Sequence, residues 1–172
     1  MPTVLPCWPN DRDYLDGRTK IDLPSEKLLK AYWDTDILDP EEEPSHRIID
    51  AEDNFKVRFR LELVGDLWSC VCGDWWFDLR FTPIGEGTGF DLSRKLGRDR
   101  FWVKGWKGCD TKCIELVVVV PANTIPTELC GTLYEAGAVF QLYCCGRGAA
   151  VVGFEALEEY QFFTAKISDE PS

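Results

Sequence analysis

Between Phe55 and Leu63, apolar and charged residues alternate without a break. Phe55, Val57, Phe59, Leu61 and Leu63 take one parity; Lys56, Arg58, Arg60 and Glu62 take the other. A strand turns successive side chains to opposite faces, so this run predicts an antiparallel strand with one dry and one wet face. Gly65-Asp66 ends it. Leu67 to Cys72 reads as a second strand, Gly73-Asp74 as a turn, and Trp75 to Thr82 as the returning strand. Gly85, Gly87 and Gly89 mark a flexible loop, and Phe90 to Leu96 suits either a strand end or a single turn. Phe101 to Trp106 and Lys112 to Val120 follow as strands. The second is nearly all β-branched, which predicts a central strand covered on both faces, and Pro121 stops it. Thr132 to Cys145 reads as a strand pair or as one long strand bent at Gly137, and Ala149 to Phe154 as a short apolar strand. Glu155 to Phe163 fits helix and strand alike; its terminal aromatic residues favour strand.

The first fifty residues have a different texture. Pro2, Pro6, Pro9, Pro24, Pro40 and Pro44 interrupt them, and an acidic run extends from Asp34 to Glu43. One short helix is predicted over about 25–34, with Ser25 as N-cap and Leu28, Leu29, Tyr32 and Trp33 along one side. It is too short to stand alone and is expected to dock on the main body. The division expected is therefore a proline-rich acidic arm over 1–50, an antiparallel β domain over 51–166, and a disordered tail over 167–172. Seven or more strands with little room for crossover helices predict a mainly β fold. It is an antiparallel β-sandwich or partly closed barrel, with a short N-terminal helix and an irregular arm. The cysteine and tryptophan spacing does not fit an immunoglobulin domain.

Composition narrows the function. Thirty acidic against 19 basic residues give an acidic protein of net charge −11, which disfavours nucleic acid and anionic membrane surfaces as partners. The opening MPTVLPCWPNDRDYLDG has three prolines and no sustained apolar core, so it does not read as a secretory signal. A cytoplasmic location is expected, with the eight cysteines reduced.

Those cysteines invite a metal reading. Cys70 and Cys72, two apart in a predicted strand, would share a face, and Cys109 and Cys113 have a spacing that zinc knuckles use. Four thiolates for zinc is the weak alternative. Packing as small buried hydrophobes is the preferred reading, so no cofactor is expected. The chain's one histidine, His46, lies in the arm and gives no Cys–His or Ser–His pair. The Gly85 to Gly89 loop lacks the strand–helix context and lysine of a phosphate loop. Asp78 and Glu115, each between apolar neighbours on a predicted strand, are the carboxylates available to a glycosidase-like hydrolase. Asp78 shares its face with Trp76 and Arg80.

Surplus tryptophan is the remaining signal. Trp75 and Trp76 must face opposite sides of a strand, with one entering the core. Trp102 and Trp106 share parity around Lys104 and form a candidate binding face. The surface candidates are Trp75, Trp76, Trp102, Lys104, Trp106, Asp78 and Arg80. The leading expectation is a non-catalytic β-domain acting as a protein-interaction or assembly module, through a protein partner or as a homodimer. The alternatives are a small-ligand or carbohydrate-binding sandwich or barrel, and a carboxylate-based hydrolase.

Overall fold

The computed structural model describes Cys7 and residues 30–41, 48–128, 131–144 and 147–164. Nine strands are found among these residues: β1 (Lys30–Leu38), β2 (Ile48–Asp50), β3 (Phe55–Val64), β4 (Cys72–Pro83), β5 (Phe90–Asp91), β6 (Phe101–Lys107), β7 (Cys113–Val120), β8 (Thr132–Cys144) and β9 (Arg147–Phe163). One helical turn, α1 (Leu92–Lys95), lies between β5 and β6. The strands make two sheets, a mainly β, sandwich-like arrangement. The first sheet runs β1-β3-β7. The second runs β2-β9-β8-β4-β5, with β6 also paired to β4. Pairing is antiparallel except for the short β2, which runs parallel to β9.

The strict alternation of β3 becomes its burial pattern. Phe55, Val57, Phe59, Leu61 and Leu63 are buried. Opposite them lie Trp75, Phe77, Leu79 and Phe81 of β4 and the even residues Tyr134 to Leu142 of β8. Rings from the two sheets meet at Trp33–Phe140 (centroids 4.3 Å apart), Phe59–Phe77 (5.2 Å) and Phe55–Phe162 (5.7 Å).

Several sequence expectations are corrected. The helix predicted over about 25–34 is a strand where it is described: residues 30–34 open β1, register-paired to β3 from Lys30↔Val64 to Leu38↔Lys56. Residues 25–29 lie outside the described residues, as do His46 and the tail 167–172. Trp33 is driven into the core by parity with Ala31 and Ile37, a long-range pairing that outweighs the local helical spacing. Leu67 to Cys72 is not a strand. Trp68–Cys70 is a 3-10 turn, and β4 starts at Cys72 without a turn at Gly73-Asp74. β7 is the outer strand of its sheet rather than a central one, with Val117 and Val119 exposed. Its β-branched run expresses strand preference, which does not require two covered faces. Ala149 to Phe163 belongs to a single strand, β9, and the β8–β9 register shifts between Glu135 and Gly137. The sheets do not close into a barrel among the described residues.

The cysteines are also corrected. Cys7 and Cys113 form a disulfide with Cα atoms 5.8 Å apart, so the reduced state does not hold for this pair. Disulfides persist in oxidising compartments. Cys70, Cys72 and Cys109 are exposed rather than packed in the core. No helix among the described residues is long and apolar enough to cross a membrane.

Two outcomes test this packing. A Cβ built on Gly153 would fall within the buried ring of Phe140. Gly153→Ala is therefore expected to cost about 1–3 kcal/mol in urea unfolding, as overpacked cores do; an unchanged midpoint would contradict the ring's position. Reducing the Cys7–Cys113 bond, which closes a loop 106 residues long, is expected to cost about 2–5 kcal/mol. Urea midpoints measured with and without dithiothreitol check it.

Candidate functional site

The outer face of the second sheet collects most of the sequence candidates. Strand parity sends Trp75, Phe77, Leu79 and Phe81 inward, and Asp74, Trp76, Asp78 and Arg80 outward. Register then builds two rows across four strands. Trp102, Trp76, Gln141 and Val152 lie side by side on β6, β4, β8 and β9. In the next row Asp78, Val139 and Phe154 are neighbours, and Arg100, one residue before β6, flanks the Phe77↔Phe101 pair.

Trp75 and Trp76 divide between the faces as expected, yet both are buried, at 0% and 8% exposure. Trp75 is core. Trp76 is covered on the outside by Arg100, whose guanidinium carbon stands 4.2 Å from the ring centroid. Trp102 carries Lys104 Nζ 3.9 Å above its ring and meets Tyr143 edge-on at 5.7 Å.

Trp106 does not join them. The expectation that Trp102 and Trp106 share a face fails because β6 bulges. Between the Trp75↔Val103 and Gly73↔Trp106 pairs, one residue of β4 (Asp74) opposes two of β6 (Lys104 and Gly105). Gly105 takes φ 66°, a conformation open to glycine, and parity inverts after it. Trp106 therefore enters the core, its ring 5.6 Å from that of Trp75. Asp74 holds the bulge. Its Oδ1 accepts the Gly105 N–H at 2.8 Å, and its Oδ2 faces Lys104 Nζ at 3.4 Å. The Gly105 bond, with Lys104 adding to it, holds the Asp74 carboxyl below its ordinary range.

Asp78 is buried on this outer face beneath α1. Its Oδ1 accepts the N–H groups of Leu79 (2.8 Å) and Ser93 (3.1 Å), and its Oδ2 lies 2.6 Å from Ser93 Oγ, which also reaches the Asp99 carbonyl at 3.1 Å. Burial pushes the Asp78 carboxyl up; the bonds from Ser93 and Leu79 oppose this, and nearby Asp91 adds to it. Arg80 turns outward and pairs with Asp91 at 3.0 Å. Asp78 thus anchors α1 to the sheet. Glu115 lies on the outer face of the other sheet, paired with Arg60 at 3.0 Å. The two acids proposed for hydrolysis do not face one another.

The four thiols of the zinc alternative are not gathered. Cys113 is bonded to Cys7, and Cys70 ends a 3-10 turn while Cys72 begins a strand, so the shared strand face does not exist. Among the described residues no group of three or more His, Cys, Asp or Glu is placed to hold a metal ion.

The sequence reading missed three contributors: Arg100, Phe154 and a cleft. Phe154 is 71% exposed beside Val139. Arg100 follows a loop and lacks a parity signal of its own, although the basic run Arg94 to Lys107 was visible. The cleft, about 440 Å³, is lined by Phe90, Tyr134, Lys95, Glu86, Glu128 and the Gly87–Gly89 backbone among others. The chain matches no protein-family model and no curated protein sequence.

The Asp78 geometry sets a pH dependence. A carboxyl raised in the folded state contributes stability that is complete below its unfolded value, about 3.9. That contribution is lost as pH rises through the folded value. Asp78→Asn preserves a neutral side chain with one acceptor, so it is expected to flatten this decline. Asp78→Ala leaves the Leu79 and Ser93 N–H groups without their acceptor and is expected to cost about 1–3 kcal/mol. Thermal unfolding of the three proteins from acid to neutral pH checks both; a wild-type slope retained in Asp78→Asn would exclude Asp78 as its source.

Proposed function

We propose that the protein is a non-catalytic β-domain working as a protein-interaction or assembly module, with the outer face of the second sheet as its docking surface. Phe154 is the observation that carries this reading. A phenylalanine 71% exposed at the edge of a half-buried apolar row leaves surface that a partner would remove from water. Complete burial of such a ring is worth roughly 1.5–3 kcal/mol. Trp102, Tyr143, Val139 and Val152 extend the surface, and the cations on Trp76 and Trp102 rim it. Aromatic anchors with a polar rim are what interfaces use. The separation of Asp78 and Glu115 speaks against the carboxylate hydrolase.

Small-ligand binding is the second reading, favoured by the cleft beside Phe90 and Tyr134.

Phe154→Asp tests the first. It is expected to keep the far-UV spectrum while weakening association at least tenfold. Light scattering over a wide concentration range reads self-association, and affinity capture with wild type and variant side by side reads a heterologous partner. Identical behaviour of the two proteins in both measurements would sink the docking surface.

A further inference from the structure

The geometry points to an acidic, apolar-bearing protein segment as the occupant of the β6–β4–β8–β9 outer face, with Arg100 as its principal carboxylate receptor. This rests on the docking surface above and names the chemistry of what docks there.

Charge distribution carries the inference. The chain has net charge −11, yet from Arg94 to Lys107 six cations (Arg94, Lys95, Arg98, Arg100, Lys104, Lys107) stand against one acid, Asp99. That run contains the end of α1, the loop after it and all of β6, the strand beside β4 on the docking face. A local positive field on an acidic molecule selects partners of the opposite sign and repels copies of the acidic remainder.

Arg100 is the cation best prepared for a ligand. Its guanidinium is seated on Trp76 at 4.2 Å, and among the described residues no carboxylate forms an ion pair with it. A guanidinium held over a ring by cation–π attraction is restrained while its N–H donors remain unused by a carboxylate, and a planar fork of such donors can take a carboxylate bidentately. Lys104 differs: it already faces Asp74 at 3.4 Å and closes the bulge. Lys107, exposed at the end of β6 and without an ion pair among the described residues, extends the positive edge.

Phe154 supplies the apolar half of the site. It lies on β9, two strands from β4, whose Trp76 seats the Arg100 guanidinium. At roughly 4.8 Å per strand this is about 10 Å, or about three residues of extended peptide. A segment with acids at one end and a large apolar side chain at the other spans the face.

Nucleic acid would use the same cations, but its bases need open aromatic faces. Here Arg100 occupies Trp76, while Lys104 and Tyr143 occupy Trp102.

Fluorescence anisotropy with three short labelled peptides tests the assignment: Glu-Asp pairs alternating with Leu-Phe pairs, the same peptide with Gln and Asn replacing the acids, and one with Lys replacing them. The acidic peptide alone is expected to bind. Affinity should fall at least tenfold in Arg100→Gln and several-fold in Lys107→Glu, the second variant serving if the first disturbs folding. It should also fall as ionic strength rises from about 0.1 M to about 1 M, where the screening length drops from about 10 Å to about 3 Å. Val119→Ser, on the other sheet, is expected to bind as wild type does. Equal binding of the amide peptide would overturn the charge assignment and leave the docking surface standing. Binding by none of the three would overturn both. Oligothymidylate displacing the acidic peptide at lower concentration than unlabelled peptide does would assign the face to nucleic acid and overturn the proposal.

Discussion

The edge-on contact between Trp33 of β1 and Phe140 of β8, at 4.3 Å between centroids, is the shortest ring contact between the sheets among the described residues, and much else is arranged around it. It requires β1 to pair with β3 in the register that points Trp33 inward. It requires a glycine at 153, where any Cβ would meet the Phe140 ring. Phe140 also lies within 6.0 Å of both Trp75 and Phe77, so the ring joins the first sheet to the centre of the second. The packing tolerates a cost. The indole N–H groups of Trp33, Trp75, Trp76 and Trp106 are buried without an acceptor among the described residues. An unpaired buried donor costs about 1–3 kcal/mol. Burying 150–250 Å² of tryptophan at about 25 cal/mol per Å² returns about 4–6 kcal/mol, so the ring's burial outweighs the lost bond.

A second constraint decides which aromatic residues reach the surface. The Gly105 bulge inverts parity along β6, sending Trp106 inward and leaving Trp102 outside. Asp74 stabilises it by accepting the Gly105 N–H and facing Lys104. The ion pair itself is exposed and contributes little; the backbone bond satisfies a donor that the interrupted ladder leaves over. Fold and candidate surface are thus set by the same residue, because the carboxylate that holds the bulge also positions Lys104 over Trp102.

The two outer faces of the sandwich have different chemistry. On the first sheet, charges are matched within the molecule: Arg58 with Asp36, Arg60 with Glu115, Lys112 with Glu62. On the second, Arg80 and Lys104 are paired with Asp91 and Asp74, but Arg100 rests on Trp76 without a carboxylate among the described residues, and one apolar ring stands in solvent. Internally paired charges have little left for a partner. Arg100 keeps donors that no carboxylate among the described residues takes, which is why the second face is the one read as a docking surface.

Period-two alternation was enough to establish the mainly β class, the inward set on β3 and the opposite facing of Trp75 and Trp76, because side-chain direction in a strand follows from local geometry alone. Three features were not legible in this way. Tyr32 and Trp33 fit a helix as well as a strand, and only pairing with β3 decided between them. The bulge at Gly105 hid because a single inserted residue leaves no trace in composition, yet it moved Trp106 from the candidate surface to the core. The Cys7–Cys113 bond joins residues 106 apart, a separation at which spacing carries no information on proximity. Sequence by itself thus determined which residues could share a face of a given strand. The tertiary structure decided which strands were neighbours and where parity broke, since both depend on contacts between segments that are distant along the chain.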